Sequence, residues 1–374
     1  MKRLTKTILF SILIGVILGF FNTLFVYEGF WQHFNKGLNS VFGWVHMLYG
    51  ILALFFVILA HEMGHFISFK KHGIKPKALY VLGIAFVDDN GWKIRFVPKF
   101  LLFIGGIVIP QHISITNEKA EAQMVENFKK VLLAGPKASI IYGATVFILW
   151  LLFLISNFYV INGLMFTTMI VTSIMTVLAI LSSRVSKLGM YGDFAAKNAF
   201  DKDPLFRLTY LIQLTTLIEH DKESMDYFWP KIVHMLETKN QINNQLYMSL
   251  LGQYLHEIIF EGRIACTSID KKIQKYLLKT PKTEDALTIY LNAIYYYEAL
   301  GQSDKVLSLL NKLDTTKIKI DYKVLMYYLR LTNHLLKLKD ETKILDNPKH
   351  IHSSSMAWVY KPLNLKNELK EIVK

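Results

Sequence analysis

Cysteine is all but absent from this chain. Cys266 is the only one in 374 residues, which excludes a disulfide framework and a cysteine-built metal site alike. Charge is missing over long blocks: no Asp, Glu, Lys or Arg occurs from Thr7 to Val26, from Leu38 to His61, or from Ala138 to Ser183. With 52% hydrophobic residues distributed this unevenly, a soluble globule is excluded. The four predicted spans show no internal repeat of the kind secondary transporters carry, which argues against a transporter. The net charge of +14 gathers into no nucleic-acid-binding motif, so no nucleic-acid partner is expected.

The uncharged blocks themselves have the lengths of membrane spans. A helix of about 20 residues crosses a hydrocarbon core of roughly 30 Å. The first two blocks give one span each and the third gives two, with Asn157 and the pair Asn162-Gly163 marking the turn between them. The sequence therefore predicts four transmembrane helices in a mainly α membrane protein. The first apolar run is longer than the 7–15 residues of a signal-peptide core and reads as an anchor. Lys2, Arg3 and Lys6 precede the first span, Lys70, Lys71, Lys75 and Lys77 follow the second, and Arg184 and Lys187 follow the fourth. The opposite loops hold only Lys36, so both termini are expected on the cytoplasmic side of the cell membrane. Lys137, just inside the third span, is expected to snorkel to that side. The basic excess then serves topology and attraction to the anionic lipid bilayer.

Two regions differ in texture. Between Lys75 and Lys130, ALYVLGIAFVDDNGWKIRFV places Asp89-Asn90-Gly91 between β-rich runs, which predicts a hairpin. The apolar run from Phe100 to Pro110 that follows is too short to cross and reads as a membrane-associated, re-entrant piece. A polar helical stretch carrying Glu118, Glu121 and Glu126 comes next and reads as a solvated amphipathic helix. Beyond Phe200 the pattern becomes amphipathic helical hairpins, with breaks near His220, Gly262, Gly301 and Leu338 and Ser303 as an N-cap. Tyr and Ala spacing before Gly301 suggests a tetratricopeptide-like domain, a kind of surface that takes peptides or a protein partner. The expected division is a 1–36 anchor, a 37–200 core and a 201–374 helical-hairpin domain.

The chemistry concentrates in HEMGH, residues 61–65, at the end of the second span. On a helix, His61 and His65 share one face and can reach one ion. Zinc accepts imidazole nitrogen, and a catalytic site uses three protein ligands plus water. Glu62, one residue round the helix, is placed to take a proton from that water and pass one to a leaving amine. A glutamate at membrane depth is costly and points to function.

HEMGH at the end of an apolar helix, then Gly105-Gly106-Ile107-Val108 after a hairpin, then Ala134-Gly135-Pro136 opening the next span resembles the site-2 protease family of intramembrane zinc metalloproteases. The resemblance covers roughly residues 40–200 and implies Zn2+ as cofactor. It also implies a third ligand from an aspartate on the last core helix. In LSSRVSKLGMYGDFAAKN the only carboxylate is Asp193, although the family's Asn-Pro lead is replaced by Ser182-Ser183 and Phe194 follows instead of glycine. Ser139 stands where members often carry asparagine, and no segment between core helices is long enough for the family's frequent PDZ module. These departures suggest a divergent branch. Other HExxH membrane proteases use a glutamate from a later helix, which keeps Glu118, Glu121 and Glu126 open as alternatives. Asp193 also has an ordinary reading as a helix N-cap.

A helix must be unwound before its peptide bonds can be hydrolysed, and an edge strand can hold the unwound piece. Gly105 and Gly106 would permit that backbone approach, or else make a bend in the re-entrant loop. The sequence therefore predicts an intramembrane zinc metallopeptidase with Glu62 as its catalytic acid–base and His61, His65 and Asp193 on the metal. Its substrate would be a transmembrane or membrane-associated peptide. A non-catalytic adaptor recruiting a partner through the C-terminal helices is the rival, and the complete His-Glu-His set argues against it. Maturation of a peptide signal, leader-peptide removal and anti-sigma-factor cleavage all stay open as roles.

Overall fold

The computed structural model describes residues 28–319 apart from 89, 97–104, 155, 188–189, 217–219, 240, 242–243, 278–280 and 283, together with a few positions between 325 and 336. The first predicted span, residues 7–26, and the break near Leu338 lie outside the described residues.

Three described helices are long and apolar enough to cross a membrane. They follow a short helix α1 (Glu28–Asn39) and are α2 (Gly43–Lys71), α3 (Glu118–Leu154) and α4 (Tyr159–Ser182). At 1.5 Å per residue, even the 24 residues of α4 reach about 36 Å, more than a bilayer core. Side chains such as Ile148, Leu152, Ile174 and Leu178 point outward and are exposed, as a lipid-facing surface requires. Small residues set the crossings. A Cβ on Gly64 of α2 would come within 2.5 Å of the Ala134 carbonyl of α3, so these two helices touch backbone to backbone there.

Two of the sequence expectations need correction here. The polar stretch with Glu118, Glu121 and Glu126 and the third span are one continuous helix of 37 residues, with Pro136 inside it. The turn before α4 lies between Leu154 and Tyr159, and Asn162-Gly163 are instead buried within α4. There a Cβ on Gly163 would collide with the backbone of Gly37, and Asn162 donates to the His33 carbonyl at 3.1 Å. A pair of turn-forming residues is thus used as the seat for α1.

The segment between α2 and α3 forms an antiparallel sheet in the order β3-β2-β1-β4, from β1 (Pro76–Val81), β2 (Ile84–Asp88), β3 (Trp92–Phe96) and β4 (Gly106–Pro110). The predicted hairpin is the β2–β3 turn, where Asn90 and Gly91 both have positive φ. A second two-residue turn at Leu82 and Gly83, also with positive φ, joins β1 to β2. Of the apolar run from Phe100 to Pro110, residues 100–104 lie outside the described residues, and residues 106–110 form a strand paired with β1, with Tyr80 opposite Ile107. Trp92, Ile94 and Phe96 of β3 share one face and are exposed, and Trp92 lies 5.6 Å from the Phe66 ring of α2.

After α4, a two-stranded turn of β5 (Ser186–Lys187) and β6 (Met190–Tyr191) leads into α5 (Asp193–Lys202) and α6 (Pro204–Thr216). Further helices are α7 (Lys222–Thr238), α8 (Gln245–Ile259), α9 (Thr267–Leu277), α10 (Glu284–Ala299) and α11 (Ser303–Lys312). Of the expected breaks, those near His220, Gly262 and Gly301 fall between described helices, the two glycines at positive φ, and Gln302 rather than Ser303 occupies the N-cap of α11. One hydrophobic core runs from Val57 to Ile318 without interruption at residue 200. The polar half of α3 is its spine: the Phe128 ring meets Phe69 of α2 at 5.4 Å and Tyr210 of α6 at 5.7 Å. On the same half, Glu121 accepts from Tyr227 at 2.7 Å and Lys231 at 2.6 Å, both on α7.

Candidate metal centre

His61 and His65 lie one turn apart on α2 with their Nε2 atoms 3.3 Å from each other. Asp193 completes the group: its Oδ2 is 3.2 Å from Nε2 of His61 and 3.6 Å from Nε2 of His65. A tetrahedral ion with bonds of about 2.05 Å spaces its ligand atoms about 3.3 Å apart. The three separations match that figure, and two neutral imidazoles with one carboxylate form a donor set zinc favours. Among the described residues, this is the one group of three such side chains whose ligand atoms converge.

Local structure explains each position. Nδ1 of His65 lies 2.8 Å from the Val131 carbonyl and Nδ1 of His61 lies 2.9 Å from Oγ of Ser139, both on α3. Gly135 stands between those two partners on α3. A Cβ there would come within 2.6 Å of Cε1 of His65 and 2.8 Å of Nε2 of His61, so only glycine leaves the metal position open. The Ala134-Gly135-Pro136 run thus supplies a hollow opposite HEMGH.

Asp193 is carried back to α2 by the small turn of β5 and β6. Gly192 donates to the Val185 carbonyl at 3.0 Å and Ala195 to Ser183 at 2.9 Å, closing the loop. A Cβ on Gly192 would collide with the Ser182 carbonyl, so the turn depends on glycine. Asp193 is the first residue of α5, with Gly192 as its N-cap, so its carboxylate faces the histidines at a positive helix end. Burial pushes its carboxyl up, but the two imidazoles outweigh that and hold it well below the ordinary carboxylate range.

The rival glutamates are elsewhere. Glu118 is exposed, Glu126 pairs with Lys129 at 2.7 Å, and Glu121 is held by Tyr227 and Lys231. His112 faces Asp221 at 3.7 Å, away from the histidine pair.

Glu62 is 5% exposed and lies against β4. A Cβ on Gly106 would collide with the Glu62 side chain, reaching 2.8 Å from Cδ, and would sit 2.7 Å from the Tyr80 carbonyl. β4 pairs only with β1 and is therefore an edge strand of the described sheet, running past the carboxylate. Gly105, just ahead of it, accepts from the Leu82 backbone at 3.4 Å. Sequence reasoning missed the hydrogen-bonding roles of Ser139 and the Val131 carbonyl. The available signal was their spacing with Gly135 at every fourth residue of α3.

The fold and site together define a multi-pass membrane protein with a partly buried His-His-Asp group beside a glutamate. The family model for peptidase family M50 matches residues 49–322, and the chain belongs to that family, the site-2 protease family of membrane metallopeptidases. No curated protein and no solved structure matches the chain.

Proposed function

We propose that this chain is an intramembrane zinc endopeptidase that hydrolyses a peptide bond in or near a membrane-spanning or membrane-associated peptide. The convergence of three ligand atoms at 3.2–3.6 Å beside the buried Glu62 supports this reading most directly. His61, His65 and Asp193 hold the ion. Zinc, when bound, supplies a Lewis acid that polarises the scissile carbonyl and acidifies water. Glu62 takes a proton from the attacking water as the new carbon–oxygen bond forms. It returns a proton to the amide nitrogen as the carbon–nitrogen bond breaks, so acid and base are one residue.

Substrate is held by strand addition to β4. Its free edge offers backbone donors and acceptors to an unwound peptide, and Gly105 and Gly106 keep the strand slim enough to lie against Glu62, which brings the added peptide near the carboxylate. The exposed Trp92, Ile94 and Phe96 support a position of β3 at the membrane interface, a depth that suits tryptophan. The distribution of basic residues supports an orientation in which HEMGH and both termini face the cytoplasm; on this reading residues 1–36 are an anchor that adds a fourth span, 37–200 the catalytic core, and 201–374 a helical domain for a protein partner.

Metal analysis of the purified full chain tests this. The wild type is expected to carry about one zinc per chain. Asp193→Ala should lose it, and alanine at Glu118, Glu121 or Glu126 should keep it. Full zinc in the Asp193 variant would reject the ligand set.

A further inference from the structure

We propose that Ser139 is a positioning residue for the metal centre: its hydroxyl holds the His61 ring by Nδ1 so that Nε2 faces the ion. The inference rests on the reading of His61, His65 and Asp193 as zinc ligands. It starts from a stripe on α3. Val131, Gly135 and Ser139 follow one another at four-residue spacing and therefore share one helix face. That face presents an acceptor, a hollow and a second oxygen in succession. α2 runs past it with His65 against Val131 and His61 against Ser139, and both rings flank the hollow at Gly135.

The two imidazoles are held unequally. The Val131 carbonyl only accepts, so at 2.8 Å it fixes the His65 proton on Nδ1 and leaves a lone pair on Nε2. The Ser139 hydroxyl, at 2.9 Å from His61, can accept or donate. When it accepts, Nε2 of His61 is a ligand. When it donates, the ring proton moves to Nε2 and that ligand is lost. Ser139 is 1% exposed, so bulk water does not stand in for it. His65 is therefore preset by main chain that no side-chain substitution removes, whereas the hold on His61 depends on a single replaceable hydroxyl. Partners at the far nitrogen of a ligating histidine fix its tautomer and orientation, and their loss typically weakens metal binding about 10–100-fold.

The test is zinc affinity, measured by chelator competition on the full-length protein in detergent, with the melting temperature of the metal-free form as a folding control. Ser139→Ala removes the oxygen. Ser139→Thr keeps it with an added methyl, and Ser139→Val has the shape of threonine without the hydroxyl. The alanine and valine variants are expected to bind zinc about 10–100-fold more weakly, with threonine within about three-fold of wild type. Wild-type affinity in the alanine variant overturns the proposal. So does equal affinity in valine and threonine, which would make shape the determinant, or a threonine variant as weak as alanine. A wild-type chain that binds no zinc sinks the ligand assignment itself, and that result is seen before any variant is made.

Discussion

Gly106 and Glu62 are in contact: a Cβ on the strand residue would occupy the space of the glutamate side chain. The edge strand and the acid–base group are thus one mechanical unit. Gly106→Ala must push Glu62 aside or shift β4 away from it. Because misplacing a reacting group by about 1 Å costs on the order of 100-fold, turnover should fall by about that factor with zinc retained. Zinc content and cleavage rate measured on the same preparation check this.

Glu62→Gln keeps the size of the side chain and removes its ability to accept a proton. Zinc binding should be unchanged, and turnover should fall at least 10²–10⁴-fold, the range general acid–base work is worth. Normal cleavage by the glutamine variant would place the proton transfer on another group.

Gly135→Ala acts on the opposite wall. Its methyl enters the space between the two imidazoles, so this variant should lose zinc together with activity. The contrast with Gly106→Ala, where the metal stays, separates the ligand pocket from the strand that serves it.

A pH dependence arises far from the metal, where Glu257 of α8 is fully buried. It is bonded to His220 at 2.7 Å, Arg263 at 2.8 Å and Gln253 at 3.0 Å, with His256 and Glu261 also beside His220. The bond to Glu257 raises the His220 pKa, although burial opposes it. Burial pushes the Glu257 carboxyl up, but His220 and Arg263 bring it below its usual value. The histidine therefore contributes stability fully below its unfolded pKa of about 6.5 and loses it as pH rises through the raised folded value. The glutamate contributes above its unfolded pKa of about 4.3 and loses it as pH falls through the lowered one. Thermal stability should be greatest between roughly pH 4.5 and 6.5. His220→Gln should lower Tm by about 2–4 °C in that window and flatten the decline above it. Melting curves across pH in the two proteins give the answer.

The legible parts of this molecule were the local ones. His61, Glu62 and His65 lie within one turn and a residue of each other, so helix geometry alone puts them on adjoining faces. Uncharged length reveals α2 and α4 because a bilayer demands it of any crossing helix. Asp193 could be suggested only by family order, since its approach to α2 depends on the turn at Gly192 and on how α5 packs. Asn162-Gly163 misled because the same small residues serve a turn in water and a close helix crossing in a membrane. The junction of Glu118–Leu154 into one helix was hidden by the change from polar to apolar texture at Lys137, which records where the membrane begins rather than where a helix does. Ser139 was marked only by its place four residues after Gly135, where family members often carry asparagine; its partner His61 lies 78 residues away, so the hydrogen bond itself was not legible.

That single helix has a consequence for inheritance. The residues that shape the metal pocket, Val131, Gly135 and Ser139, and the one that anchors α7, Glu121, belong to the same rod, about 55 Å long at 1.5 Å per residue. A graft that exchanged the C-terminal helices for those of another protein would have to preserve the surface this rod presents to them, or tilt the pocket with it. Diversification of the C-terminal helices is therefore expected by gradual change of their outer faces, with the surface that grips α3 held constant.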